Sequence, residues 1–405
     1  MSSITRRTFA TALAAGTIAA PSILRAQTKP IQIGIISDMV GPFRDSGGPG
    51  NKVAATLAVE DFGKNVLGRP IEIIQADCQN NPDVAGSLAR EWIDRLGIDV
   101  VADGGPSSAA LVVQRIAAEK KKPYLIVGPA STDFTGPQCT PYGMQFVYDT
   151  YAQANSTGRA LARTGGETWF FITTDYTFGH SLERDTTDTI TKLGCKVIGS
   201  VKVPLNTTDF SSYLLQAQAS GAKVLGLATA GTDLRNCIKQ ASEFGITKGG
   251  MRLACLSMQI MDVIALGQKA TAGAMYTDSF YWDLNDATRE FTKRFTERYN
   301  YPTPTLCQAG MYGAVTHWLK AVKAVGSTDG DAVVKQMKAT PMNDFYNKDV
   351  VIREDGRAMH TMYLWQVKPE SESKYAKDWV NLVTKVEPAD AWRSLAAGGC
   401  PLVKA

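Results

Sequence analysis

Residues 99–132 read DVVADGGPSSAALVVQRIAAEKKKPYLIVGPAST, and this stretch decides the fold. Asp99–Ala102 is a short apolar run, Ser108–Glu119 an amphipathic stretch and Tyr124–Val127 a second apolar run. Gly104, Gly105, Pro106, Gly128 and Pro129 punctuate the junctions. Strand, helix and strand in that order make a βαβ unit, whose crossover leaves its two strands parallel.

The alternation extends both ways. Upstream lie strand Ile31–Ser37, helix Asn51–Phe62 with Val53, Leu57 and Phe62 near one face, strand Ile71–Ala76 and helix Val84–Leu96. Downstream the pattern restarts with strand Thr168–Thr173, helix Gly179–Leu193, strand Cys195–Val201 and helix Ser211–Ala219. Strand Lys223–Ala228, helix Asp233–Phe244 and strand Arg252–Leu256 complete that series. Helices Asp286–Tyr299 and Leu306–Val325 and a late strand Met359–Val367 follow. Two βα series of similar length predict an α/β protein of two similar lobes, each a parallel sheet covered on both faces. In such sheets ligands sit beyond the carboxyl ends of the strands, so the post-strand segments are where function is sought.

The first residues read differently. Thr5-Arg6-Arg7-Thr8-Phe9 leads into apolar Ala10–Ala20, and Ala26-Gln27 offers a small-residue cleavage point. Residues 1–26 are therefore expected to be an export signal of twin-arginine type, and the remainder to work in the periplasm. Loss of that segment removes Arg6, Arg7 and Arg25 and no acid, taking 43 basic side chains to 40 against 39 acidic ones. Near-neutral charge gives no footprint for nucleic acid or an anionic membrane. The chain is long enough to exceed a single core, in keeping with two lobes.

Cys78, Cys139, Cys195, Cys237, Cys255, Cys307 and Cys400 show no CxxC spacing, and His180, His317 and His360 are scattered, so no zinc site is expected. Cys139 and Cys400 lie in proline-flanked loops and are the candidates for a disulfide, with buried single thiols the alternative.

Three post-strand segments carry candidate chemistry. Asp103-Gly104-Gly105-Pro106-Ser107-Ser108 lets the backbone approach a ligand, with Ser108 placed to cap the helix whose first amides would face an anion. Gly128-Pro129-Ala130-Ser131-Thr132 offers two adjacent hydroxyls and a carbonyl. Thr174–His180 places Tyr176 and Phe178 beside a glycine-opened helix. Each also fits a bland reading: an ordinary capped connection, a plain turn, lobe-edge packing. GxSxG, P-loop, HExxH and the Rossmann fingerprint are all missing, and His180, Asp175 and Ser181 are too close in sequence for a triad. No enzyme activity and no cofactor are expected.

Taken in order, several segments resemble the periplasmic substrate-binding proteins of ABC importers, of the leucine/isoleucine/valine-binding (type I) kind. They are Ser37–Pro42, Leu57–Phe62, Gly68–Glu72, Gly105–Ser108, Gly128–Thr132 and Asp175–Gly179. The resemblance implies two Rossmann-like lobes joined by a three-strand hinge, with crossings near Tyr148, Met275 and Arg357. Lobe 1 would then be 27–147 plus 276–356, and lobe 2 would be 148–275 plus 357–405. It further implies a carboxylate held by Ser107 and Ser108, by the Ala130 carbonyl, and by Thr132 beside Ser131. Tyr176 and Phe178, Thr229 and Gly231, Phe43, Gln259 and, at the cleft lip, Tyr281 would complete the ligand site. The implied partners are a small organic acid or amino acid and an inner-membrane ABC permease, with the receptor a monomer.

One departure bears on the ligand. Amino-acid binders of this family present an acid after the strand matching Arg252–Leu256, whereas here Ser257-Met258-Gln259-Ile260-Met261 reaches no acid before Asp262. A cleft with Phe43, Tyr176, Phe178 and Met258 and without that acid suits an amine-free, aromatic carboxylate over a branched-chain amino acid. The rival functions are a sensory receptor or regulator of the same fold and a secreted hydrolase.

Overall fold

The computed structural model describes residues 29–165 and 167–404; the expected export signal lies outside them. A six-stranded sheet comes first, built from β1 (Ile31–Ser37), β2 (Asn65–Val66), β3 (Arg69–Asp77), β4 (Val100–Asp103), β5 (Tyr124–Ile126) and β6 (Gly143–Gln145), in the order β2-β3-β1-β4-β5-β6. All its pairings are parallel except β2 with β3. Successive residues of β1 point to opposite faces, and both faces are covered. Ile31, Ile33 and Ile35 enter a core shared with α1 (Gly48–Phe62), while Ile36 packs with Trp92 and with α3 (Ser107–Glu119) in another. Between them α2 (Pro82–Glu91) starts on an Asn81 cap that accepts from the Asp83 amide at 2.8 Å.

The second sheet, β7 (Thr168–Thr174), β8 (Lys196–Val203), β9 (Val224–Ala228) and β10 (Arg252–Cys255), is parallel in the order β10-β9-β7-β8. Trp169 and Phe171 of β7 face one core and Phe170 and Ile172 the other. Its helices are α4 (Thr177–Thr191), α5 (Ser211–Ala219), α6 (Gly231–Glu243) and α7 (Ile260–Leu266). A third, antiparallel sheet joins β11 (Met275–Asp278), β12 (Met362–Val367) and β13 (Val380–Val386). Helices α8 (Asp286–Thr296), α9 (Leu306–Val325) and α10 (Gly330–Ala339) follow β11, and α9 lies along α1.

The strands and helices expected from the pattern are present, with edges moved by a few residues. The helix expected at Asn51 begins at Gly48, because Pro49 suits a first turn. Strand β12 begins only at Met362, since the Met359 amide is taken by the Val351 carbonyl. β2, β6, α7, α10 and β13 went unread: β2 and β6 are two and three residues long, α7 spans only seven residues, and β13 exposes both alternating sets of side chains from Asn381 to Lys385.

Two passages between the sheets meet at Arg357, which is fully buried, donates from Nη1 to the Tyr148 carbonyl at 3.1 Å and stacks on Trp392 at 4.1 Å. Near Met275, Tyr276 and Tyr281 pack in one core with Phe170 and Ile172, and Phe280 packs in the core that holds Ile31 together with Trp169 and Phe171. Cys139 and Cys400 form a disulfide with Cα atoms 5.6 Å apart, tying the tail to the loop after β5. The other cysteines are buried thiols.

Candidate functional site

Strand order dictates where the site falls. In the first sheet the order turns back between β1 and β4, and in the second between β7 and β9. At such switch points the loops leave on opposite faces and open a crevice at the carboxyl ends. The two crevices face one another across a cavity of about 40 Å³.

From the first half, the loop after β1 is organised by Asp38, whose carboxylate accepts from the Gly41 amide at 2.6 Å and the Phe43 amide at 2.8 Å. Asp103 ends β4. Its Oδ2 accepts from the Ser37 hydroxyl at 2.7 Å and Asn51 Nδ2 at 2.8 Å, and burial pushes its pKa up to about 6 against the pull of those donors. Asp103, Gly104 and Gly105 all take positive φ, at 67°, 124° and 73°. The glycines are required: a Cβ would come within 2.0 Å of the Tyr124 hydroxyl at Gly104 and within 2.3 Å of Cys78 Sγ at Gly105. This turn delivers Ser107 to the first turn of α3, where its Oγ accepts from the Ala130 and Ser131 amides at 3.2 Å each and keeps its own proton to donate.

From the second half come Tyr176 and Phe178, with ring centroids 5.9 Å apart, and the Phe43 ring lies 6.5 Å from Tyr176 across the gap. Gln259 Oε1 accepts from the Ser46 hydroxyl at 3.0 Å, and its Nε2 donates to the Tyr148 hydroxyl at 3.3 Å. Burial holds the Tyr148 and Tyr176 phenols well above their usual pKa, so both remain neutral donors. Gly231, at φ 60°, lies so near the Pro42 carbonyl that a Cβ would come within 2.3 Å of it. Outside this contact Arg235 donates from Nη1 to Asp45 of the first half at 3.2 Å and from Nε to Asp262 at 2.8 Å.

Of the residues expected at the site, Phe43, Ser107, Ala130, Tyr176, Phe178, Gly231 and Gln259 line the cavity. Ser108, Ser131, Thr132, Thr229 and Tyr281 do not line it, a departure from the expected arrangement. Ser108 follows Ser107 into the helix and does not line the cavity; nor does it cap α3, whose N-cap is Pro106. Ser131 shares a hydrogen bond of 2.7 Å with Ser181, and Thr132 Oγ1 donates to Asp185 at 3.0 Å while accepting from Arg184 at 2.8 Å. Both hydroxyls join the halves beside the cavity because α4 packs against their turn. Thr229 is buried behind Ala230, its hydroxyl without a partner among the described residues. Tyr281 packs on Trp365 at 5.1 Å and donates to the Lys377 carbonyl. Met258 is core, and Met261 lines the cavity in its place. The Ala130 carbonyl already accepts from the Thr150 amide at 2.8 Å. His180 pairs with Asp175 at 2.8 Å while Ser181 turns to Ser131, so the three do not form a relay.

Sequence reading missed Asp38, Ser46, Asp103, Tyr148 and Met261 as cavity residues. The signal for Asp103 was present: a non-glycine residue closing a strand ahead of Gly-Gly-Pro at the expected ligand loop.

Comparison with known proteins agrees with this architecture. A family model described as periplasmic binding protein matches residues 30–374. The chain is 22% identical over 375 residues to Leu/Ile/Val-binding protein homolog 6 of Brucella melitensis, covering 90% of this chain and 94% of that one. Among solved structures, a periplasmic binding protein from Burkholderia mallei is 46% identical, with a TM-score of 0.91 and coverage of 93% of this chain and 100% of the other. A branched chain amino acid ABC transporter periplasmic ligand-binding protein from Burkholderia xenovorans is 35% identical, with a TM-score of 0.80 and coverage of 92% and 99%. Two facing switch points with a cavity between them, and a family match across most of the chain, lead to one assignment: this protein belongs to the periplasmic binding protein family, with the Leu/Ile/Val-binding-like, type I fold.

Proposed function

We propose that this chain is an exported, monomeric receptor that captures a small carboxylate, an aromatic acid or a branched-chain amino acid, between two lobes and hands it to an ABC permease without altering it. Its lobes are 27–147 with 276–356 and 148–275 with 357–405. The observation that carries the reading is the cavity itself: it is built from the carboxyl ends of both sheets and roofed by Ser46–Gln259 and Phe43–Tyr176. A ligand touching both lobes stabilises the closed arrangement, the state a permease recognises. The Ser107 hydroxyl and the first amides of α3 are the donors for the carboxylate. The Burkholderia xenovorans relative, named for branched chain amino acid ABC transport, supports both the ligand class and the permease.

A thermal-shift panel of amino acids and benzoate-type acids tests the reading, because a ligand bound only by the folded state raises the melting temperature. One or more small carboxylates should do so. Turnover of chromogenic esters with no such shift would overturn it.

A further inference from the structure

The charges around the cavity have a consequence for the ligand. Asp38 and Asp103 both line it, and no Lys, Arg or His does so among the described residues. Arg235, outside the lining, is engaged by Asp45 and Asp262, and Arg44, beside lining residue Gly48, pairs with Asp45. A ligand bringing only a carboxylate would enter a site already holding two, with only hydroxyls and helix amides to offset it. Like charges brought together in a buried site disfavour one another.

Resting on the reading of this cavity as a receptor site for a small carboxylate, we infer that Asp103 selects the ligand by accepting a hydrogen bond from a cationic or strongly donating group on it. An α-ammonium is the simplest such group. The acid that amino-acid binders present after the strand matching β10 is missing here: Asp262 does not line the cavity and instead accepts from Arg235 and, at 2.9 Å, from the Gln259 amide. Asp103 supplies that charge from the opposite side of the cleft. Its place is set by the fold: Ser37, Asn51, the Gly128 amide and the β1–β4 pairing, with Ile36 opposite Asp103, hold the carboxylate at the switch point and leave it about one lone pair toward the cavity. Asp103 and Ser107 stand at the two ends of one turn, the first closing β4 and the second opening α3. One turn therefore presents an acceptor for a cation and a donor set for an anion. A zwitterion laid across it is gripped at both poles by the first half alone. The second half then contributes Tyr176, Phe178 and Met261 to the apolar remainder and shuts the site through Gln259.

The amine-free aromatic acid drawn from the second-half residues rested on the lack of an acid there, and the whole cavity does not lack one. Selectivity should thus run amine over hydroxyl over hydrogen at the ligand's α-carbon.

Calorimetry tests this with the amino acids leucine, valine and phenylalanine against 2-hydroxy-4-methylpentanoate, 4-methylpentanoate, 3-phenylpropanoate and benzoate. The wild type should bind an amino acid at least about tenfold more tightly than its amine-free counterpart, the factor expected for a hydrogen bond to a charged group. Asp103→Asn should shrink that ratio about tenfold or more, the amino acid losing affinity and the amine-free acid gaining it as the repulsion goes with the charge. An amine-free acid bound as tightly as its amino acid by the wild type overturns the inference and leaves the carboxylate receptor standing. So does a folded Asp103→Asn variant with an unchanged ratio. If the variant does not fold, the wild-type ratios decide alone. Binding of no acid in the panel removes the inference together with the reading beneath it.

Discussion

Asp278 closes β11 at the passage between the halves and is fully buried. Its Oδ1 accepts from the Phe280 amide at 2.9 Å, and its Oδ2 has no hydrogen-bond partner among the described residues. Burial dominates and raises its pKa to about 8, the Phe280 and Ser279 amides offsetting only part of that cost. The folded chain therefore keeps a proton on Asp278 at neutral pH while the unfolded chain, with a carboxyl near 3.8, does not. Between those values the native state binds the extra proton, so the group's contribution to stability falls as pH rises, by a little over about 1 kcal/mol per pH unit. Below the unfolded value and above about 8 the contribution is flat. Asp278→Asn replaces the protonated acid by a neutral group of the same shape and removes this slope. Urea unfolding at pH 5, 6 and 7 measures it. The stability of Asp278→Asn relative to wild type should improve by about 2–3 kcal/mol from pH 5 to pH 7. Asp103 and Asp233, raised to about 6 and about 7, titrate in both proteins and cancel in the difference. Parallel curves for the two proteins would show that Asp278 is ionised in the folded state and refute the argument.

Gly231→Ala should cost about 1–2 kcal/mol of unliganded stability, since Gly231 takes φ 60°, and weaken ligand binding by more than about tenfold, because its Cβ meets the Pro42 carbonyl of the first half. Calorimetry beside a thermal melt checks it, and undiminished affinity would mean the halves need not approach this closely. Cys400→Ser should cost about 2–5 kcal/mol by freeing a bridge that spans 261 residues, and a reductant should shift the wild-type melt but not the variant's.

The parallel architecture was legible because its causes are local. In Asp99–Thr132 the apolar runs, the amphipathic stretch and the glycine and proline breaks lie side by side, and βαβ geometry follows from them. Leu306–Val325 was read to the residue because Thr305 and Gln308 form a capping box at one end and Gly326 takes φ 73° at the other. The site was legible only in part. Ser107 and Tyr176 were found from the loops that carry them, and those loops are set by the preceding strand. What each side chain then faces was not local. Ser131 and Thr132 look like ligand donors until α4 brings Ser181 and Asp185 against them. Asp103 looks like a loop residue until β1 pairs with β4 and sets Ser37, 66 positions away, beside it. By itself, then, the sequence determined the elements, their order and the loops from which a site is made, since these follow from periodicity and turn chemistry over a few residues. Only the tertiary structure decided which hydroxyls and carboxylates face the cavity and which are spent across it. Hydrogen-bond partners and the cost of burying charge are set by neighbours distant in the chain.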